Sequence, residues 1–349
     1  MRSKRPILLP LALLYGVVVR LRNWFYDKGV LKIEHVEVPV ISIGNMTAGG
    51  TGKTPFVEYL ARYFSAKGIL TAIISRGYRR SSEGTQIISD GRTVFGTSAS
   101  SGDEPYQMAR KLPGMIVIVD EDRVRGARCA IRRYHPDLIL LDDGFQHRRL
   151  HRDIDIVLID ATIDLPRISF LPAGMRREPL ASLRRASLLA LTRVDATLPT
   201  WSGSLNKFSS APVIGVRFDP VRNFLVGSTT TNRNDGLGGR RCLAFCGIGN
   251  PMSFRRILEG MGLDVADFVS YSDHHRYSIE DFKYLKERFE TTRAEIIITT
   301  EKDASRMSSS ELPEFFPSHA CYAVEIAATL TQGEETLHAI HDSVIRKAA

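Results

Sequence analysis

Cysteine is scarce and scattered: Cys129, Cys242, Cys246 and Cys321 are the four thiols in 349 residues. Such spacing gives no disulfide framework and predicts a reducing compartment. Cys242 and Cys246 share an apolar run at strand-compatible spacing, which reads as buried thiols, and no Cys or His cluster has the spacing of a zinc site. Internal repeats and low-complexity tails are missing. The N-terminal apolar run, Ile7 to Val19, ends after thirteen residues, short of the roughly 20 that span a bilayer. No small-residue cleavage site follows it, so it does not read as a signal peptide. Acids are nearly missing from the first 32 residues, where Arg2, Lys4, Arg5, Arg20, Arg22, Lys28 and Lys32 meet only Asp27. That segment alone is +6 of a net +8. With Trp24, Phe25 and Tyr26 beside those bases, it suits a membrane interface. The alternative is a helix packed on the protein's own core. It is too apolar for a nucleic-acid arm, and no nucleic-acid partner is expected.

What is present reads as α/β. The chain is long enough for two domains, with an ordinary 43% hydrophobic and 25% charged content. Near-continuous apolar runs at 39–43, 70–75, 115–119, 138–142, 154–159 and 188–192 alternate with helical patterns. That predicts a doubly wound sheet, parallel and buried on both faces. After a polar stretch, Ser228 to Arg241, the pattern restarts with strands at 243–245 and 295–300 and a helix at 253–261. We therefore expect an N-terminal membrane-contact helix over 1–32, a P-loop domain over 33–222 and a smaller α/β domain over 223–349. The Ser/Gly-rich stretch 97–102 reads as a mobile loop.

One stretch carries the chemistry. Thr47-Ala48-Gly49-Gly50-Thr51-Gly52-Lys53-Thr54 follows the strand ending at Ile43 and precedes Phe56, Val57, Leu60, Ala61 and Phe64 at helical spacing. Glycines let successive N–H groups turn toward one anion, the lysine reaches β- and γ-phosphates, and the Thr54 hydroxyl faces Mg²⁺. The helix start adds partial positive charge. Thr47 stands where the usual G-x-x-x-x-G-K-[ST] pattern begins with Gly. The chain is expected to bind a nucleoside triphosphate with Mg²⁺. Leu138 to Leu141 followed by Asp142-Asp143-Gly144 is the form of a Walker B strand, whose acids hold the metal directly or through water. The run Arg148-Arg149-Leu150-His151-Arg152 is either a solvated face or an anion site. Asp103 and Glu104 read as a helix cap with a first-turn acid, or as the source of a general base. Asp273-His274-His275 and Thr299 to Asp303 mark the second domain.

Taken in order, these segments resemble the tetraacyldisaccharide 4′-kinases, the lipid A 4′-kinases of Gram-negative bacteria. The motifs are Gly44-Asn45 with the glycine loop and Pro55, Ser75-Arg76-Gly77-Tyr78, Gly102-Asp103-Glu104-Pro105 and Asp142-Asp143-Gly144-Phe145-Gln146-His147. Pro172-Ala173-Gly174 with Arg177-Glu178-Pro179, Gly247 to Pro251, Asp273-His274-His275 and Thr300-Glu301-Lys302-Asp303-Ala304 follow. The resemblance implies transfer of the ATP γ-phosphate to the 4′-hydroxyl of a tetraacylated glucosamine disaccharide 1-phosphate, at the cytoplasmic face of the inner membrane, by a peripheral enzyme. It implies Lys53 and Thr54 on ATP and Mg²⁺, Asp142 and Asp143 as metal acids, Asp103 as catalytic base and His274 as its partner. Glu104, Gln146, His147, Arg177 and Glu178 are secondary candidates. The basic run 148–152 would face the substrate 1-phosphate or the membrane. Two other classes compete. One is a P-loop switch or chaperone NTPase, for which Thr192-Arg193-Val194-Asp195 is a poor version of N-K-x-D. The other is a soluble small-molecule kinase whose first helix is core.

Overall fold

A computed structural model describes residues 6–195, 197–226, 236–307, 314–317 and 320–348. The chain forms two compact units, one of Met1–Phe218 with Ala328–Ala349, the other of Asp219–Ala327. The polar stretch from Ser228 lies, over 227–235, outside the described residues.

The first unit contains α1 (Leu9–Asp27), β1 (Val40–Asn45), α2 (Lys53–Ser65), β2 (Thr71–Ser75), β3 (Gln86–Asp90), α3 (Ser98–Ser101), α4 (Asp103–Lys111), β4 (Ile116–Val119), α5 (Arg123–Tyr134), β5 (Leu138–Asp142), β6 (Ile154–Asp160), β7 (Leu188–Thr192) and the start of β8 (Val213–Leu225). Its strand order is β3-β4-β2-β5-β1-β6-β7-β8. All neighbours are parallel except the edge strand β3. Every position of β1, β2, β4, β5, β6 and β7 is buried, as a sheet covered on both faces demands. The order reverses at β1, which lies between β5 and β6. The carboxyl end of β1 is therefore the topological switch point, where open α/β sheets bind ligands.

Helix α2 starts there and is fixed by Phe56, Val57, Leu60, Ala61 and Phe64, all fully buried. Each of the larger ones contributes about 1.5–3 kcal/mol by leaving water. Glu58 and Lys111 join α2 to α4 through a buried ion pair at 2.8 Å. The last helix, Glu334–Ala348, belongs with the first unit, unlike the expected grouping of 223–349. The reason is aromatic packing on α2: Tyr63 touches His338 and His341, and Phe64 stacks on His341.

Helix α1 buries a narrow stripe, Ala12, Gly16, Val19 and Asn23. A Cβ on Gly16 would lie 3.1 Å from the Phe170 ring, a tight contact that glycine avoids. Its large side chains face outward: Leu13 is 68% exposed, Leu14 60%, Val17 56% and Val18 57%. The polarity of an ordinary surface helix is thus reversed. Among the described residues no helix is long and apolar enough to cross a membrane.

The second unit is a smaller parallel sheet, β10 (Asp264–Ser270), β9 (Arg241–Cys246), β11 (Ile296–Thr300) and β12 (Cys321–Gln332), with α6 (Pro251–Gly260), α7 (Ile279–Thr292) and α8 (Glu301–Ala304). Leu243, Phe245, Phe282, Leu285 and Ile297 form one core. Cys242, Cys246 and Cys321 are buried free thiols, each pushed up to about 12 by burial.

Strands β3, β8, β10 and β12 were not expected. β3 is a half-exposed edge, β8 carries Arg217, Asp219, Pro220 and Arg222, and β10 is buried at no position. β3, β8 and β10 offer no long continuous apolar run, and the one that opens β12, Cys321 to Val324, is cut short by Glu325. Residues 98–101, expected as part of a mobile loop, are one helical turn closed by a Thr97–Ser100 capping box.

Candidate functional site

The loop between β1 and α2 is held at both ends. Its first half pairs with the segment 175–177: Ala48 N–H donates to Met175 O at 2.7 Å, Arg177 N–H donates to Met46 O at 2.8 Å, and Thr47 bridges Arg176. Thr47 is buried and its φ is not positive, so the first loop position has no need of glycine. Its second half is held by side chains. Asn45 Nδ2 donates to Thr51 Oγ1 at 2.9 Å, and Arg193 donates to the Gly50 carbonyl. Gly52 has φ +83°, and a Cβ there would lie 1.9 Å from the Phe218 ring. Only glycine satisfies both constraints.

Lys53 opens α2, and its Nζ lies 3.5 Å from Asp143 Oδ1. Parallel register sets Asp142 beside Ile43 of β1. The two acids sit differently. Asp142 is buried, its Oδ2 accepts from Ser75 Oγ at 2.8 Å, and its Oδ1 has no hydrogen-bond partner. Burial, then Glu104 and Asp143, push its carboxyl up to about 7 against the pull of Lys53. Burial also works against the Asp143 charge, but Lys53 and Arg177 outweigh it and hold that carboxyl below the usual range. Arg177 Nη1 reaches Asp143 Oδ1 and Oδ2 at 3.3 and 3.2 Å.

A buried carboxylate oxygen with no donor is a cost that a cation would remove. Asp142, Asp143 and the Thr54 hydroxyl are hard oxygen donors suited to Mg²⁺, which is held by one or two carboxylates together with phosphates and water. Among the described residues no group of three or more His, Cys, Asp or Glu side chains is arranged to hold a metal. The fit is to a metal carried in with a phosphate ligand. With Asp143 engaged by two cations, Asp142 Oδ1 is the open position.

Asp103 is the first residue of α4 and accepts from Ser98 Oγ at 2.6 Å. It is not the cap: Gly102, at φ +89°, holds that position without a side-chain bond. A Cβ on Gly102 would press on Gly77 and the Tyr78 carbonyl at 3.1 and 3.2 Å. The Ser75–Tyr78 and Gly102–Pro105 turns are thus packed backbone to backbone, and Glu104 faces Asp142 electrostatically. Gln146 Nε2 donates to the Asn45 carbonyl at 2.8 Å, bracing the end of β1. Burial, then Arg123, lowers the His147 imidazole to about 4, so it is neutral near pH 7. His274 lies in the second unit at φ +61°, with its N–H on the Gly247 carbonyl at 3.1 Å. Its Nδ1 is 3.2 Å from Arg306 Nη2.

The family model for tetraacyldisaccharide-1-P 4′-kinase matches residues 4–345. The chain belongs to that family. It is 38% identical over 343 residues to the tetraacyldisaccharide 4′-kinase of Chlorobaculum parvum, covering 96% of this chain and 94% of that one. It is 40% identical over 304 residues to the Geobacter metallireducens enzyme, covering 86% and 88%. Among solved structures it is similar to LpxK from Aquifex aeolicus in complex with ATP, with a TM-score of 0.76, 36% identity, and 97% and 99% coverage.

In this member of the tetraacyldisaccharide 4′-kinase family, two expectations need correction. The basic run does not present free charge to an anion. Arg148 is buried against Asp27 and the Asn23 carbonyl, Arg149 pairs with Glu34 and Asp122, and Arg152 pairs with Asp155. Glu178 is engaged by other partners. It is fully buried and accepts from Arg22 Nη2 at 3.0 Å, Asn23 Nδ2 at 2.7 Å and Ser182 Oγ at 2.9 Å. It anchors α1, as does Tyr15, whose hydroxyl donates to the Arg177 carbonyl at 3.1 Å. Three side chains were missed, two that support the loop, Arg193 and Asn45, and one that holds Asp142, Ser75. Arg193 follows β7, Ser75 ends β2, and Asn45 ends β1. Position at the carboxyl end of a parallel strand was the available signal.

Proposed function

We propose that this chain transfers the γ-phosphate of ATP to the 4′-hydroxyl of a tetraacylated glucosamine disaccharide 1-phosphate, a step of lipid A biosynthesis. The observation that carries this reading is Lys53 set against an acid pair, one of whose buried oxygens, Asp142 Oδ1, has no partner. The fold is read as a P-loop domain with a smaller α/β domain and a membrane-contact helix. The N–H groups of the glycine loop and Lys53 hold the β- and γ-phosphates. Mg²⁺, when bound, neutralises phosphate charge at the Asp142 side. Asp103 accepts the proton of the sugar hydroxyl as that oxygen attacks phosphorus, and the γ-phosphoryl leaves the β-phosphate oxygen. His274 is the second catalytic residue of this reading, and Arg177 keeps Asp143 in place. Positioning and charge supply most of the rate in such transfers.

The acceptor's acyl chains belong in a bilayer, and exposing them costs about 0.8 kcal/mol per CH₂. The outward apolar face of α1 supports docking as a peripheral protein at the cytoplasmic face of the inner membrane. Reading Thr192–Asp195 as a base-specificity motif gains no support, because Arg193 is turned onto Asp160 and Gly50.

The test offers ATP labelled at the γ-phosphate and the lipid disaccharide 1-phosphate in mixed micelles. Label is expected in the lipid fraction, and none there would sink the proposal. Asp103→Ala is expected to lower turnover by about 10²–10⁴-fold, the usual reach of a general base. ATP affinity is expected to stay unchanged; wild-type turnover would remove Asp103 as base.

A further inference from the structure

The second unit contains a closed ring of hydrogen bonds around His274. Asp303 is fully buried. Its carboxylate accepts from Gly247 N–H at 3.1 Å, Thr300 Oγ1 at 2.6 Å and Arg306 Nη1 at 3.0 Å. The Arg306 side chain is 4% exposed. Its Nη1 also donates to the Gly247 carbonyl at 3.0 Å, while Nη2 lies 3.2 Å from His274 Nδ1. The His274 N–H returns to that same Gly247 carbonyl at 3.1 Å. Gly247 is closely packed: a Cβ would lie 3.0 Å from His275 Cβ, 3.1 Å from the Ser272 carbonyl and 3.2 Å from Asp303 Oδ1. Three segments distant in sequence, Gly247, His274 and Thr300–Arg306, are one device.

A guanidinium carries donors only. Arg306 therefore requires His274 Nδ1 to accept, and the proton of the neutral ring then sits on Nε2. We infer that Arg306 is a positioning residue that fixes His274 as the Nε2–H tautomer, so that His274 presents a hydrogen-bond donor and not a second base. The inference rests on the proposed catalytic role of His274. An Nε2–H group steadies a carboxylate that is to take up the sugar proton. The opposite tautomer presents a lone pair there and competes for the same proton. Asp303, held by donors from Gly247 and Thr300 as well, sets the angle of the guanidinium. His274 has its own strained backbone, which the Gly247 bond holds.

The tautomer is read directly by ¹⁵N–¹H correlation of the imidazoles in the full-length chain, with the His274 signal assigned by its loss in His274→Gln. Nε2–H is expected in the unsubstituted chain. In Arg306→Met a mixture of tautomers is expected, with kcat lowered about 10–100-fold, the scale of a displaced catalytic group. The KM for ATP is expected to be unchanged, and Arg306→Lys to regain part of kcat. His274→Gln, which keeps an N–H donor, is expected to retain more turnover than His274→Ala. An Nδ1–H tautomer in the unsubstituted chain, or an unchanged kcat in Arg306→Met, overturns the inference alone. Full turnover in His274→Ala overturns the catalytic reading beneath it.

Discussion

Glu178→Ala separates anchoring from chemistry at a residue that sits next to the site in sequence. The carboxylate is fully buried and accepts from Arg22, Asn23 and Ser182. Hydrogen bonds to a charged group contribute about 1.5–3 kcal/mol each. The Arg22 side chain is 38% exposed and can turn to water, so its share is discounted. Asn23 and Ser182, 7% and 4% exposed, cannot, and would keep donors with no acceptor but each other. Two bonds at that scale give about 3–6 kcal/mol, in line with the roughly 3–5 kcal/mol for breaking a buried charged contact. For a unit of this size each kcal/mol corresponds to about 2–4 °C, so the melting temperature is expected to fall on the order of 10 °C. The assay is thermal unfolding beside turnover measured well below the new midpoint. Turnover per folded molecule is expected to change far less than stability. A variant that melts within a degree or two of the parent yet has lost kcat would refute the anchoring argument and return Glu178 to the chemistry.

Gly52→Ala forces a side chain into the left-handed region, costing about 1–2 kcal/mol, and onto Phe218, so ATP affinity measured by calorimetry is expected to fall at least about tenfold. Unaltered affinity would show that the loop is not the nucleotide site. Asp142 gives a pH signature. Its folded value, about 7, is raised above its unfolded one, so the folded state holds a proton that the unfolded state releases. Its contribution is intact below about pH 4 and is lost as pH rises through about 7. Relative to Asp142→Asn, the metal-free parent is expected to lose about 2–3 kcal/mol between about pH 5 and pH 8 in denaturant unfolding. Parallel profiles would contradict this. Replacing Leu14 and Val18 together by Gln removes outward apolar surface, and sedimentation with anionic vesicles is expected to fall about 10–100-fold with the melting temperature unchanged; equal sedimentation would remove α1 as the docking face.

The strand, loop and helix from Val40 to Ser65 were legible because apolar run, glycines, Lys53-Thr54 and helical spacing all agree on one unit. The acids 142–143 were legible as the end of a buried strand. Their division of labour was not, because it depends on Ser75, Lys53 and Arg177, which folding brings from other elements. The arginines at 148, 149 and 152 misled for the same reason. All three have acid partners, and those of Arg148 and Arg149 lie far off in the chain: Asp27, Glu34 and Asp122. Thr47 looked like a defect only while the loop was compared with a pattern; its bridge to Arg176 shows why glycine is unnecessary there. Strands β8 and β10 escaped because charged side chains on a half-exposed strand carry no run to recognise.

Met175 to Glu178 touches the glycine loop with its backbone, Asp143 with one side chain and α1 with the next. The N-terminal helix is therefore not a detachable module. Cutting it away to make a more tractable protein would strip Glu178 of its Arg22 and Asn23 donors, one residue from the arginine that holds Asp143. Nor can it be exchanged for an unrelated helix of equal hydrophobicity, since Asn23 and Gly16 are part of how the first unit is packed. The first helix is thus part of the foundation on which the glycine loop rests.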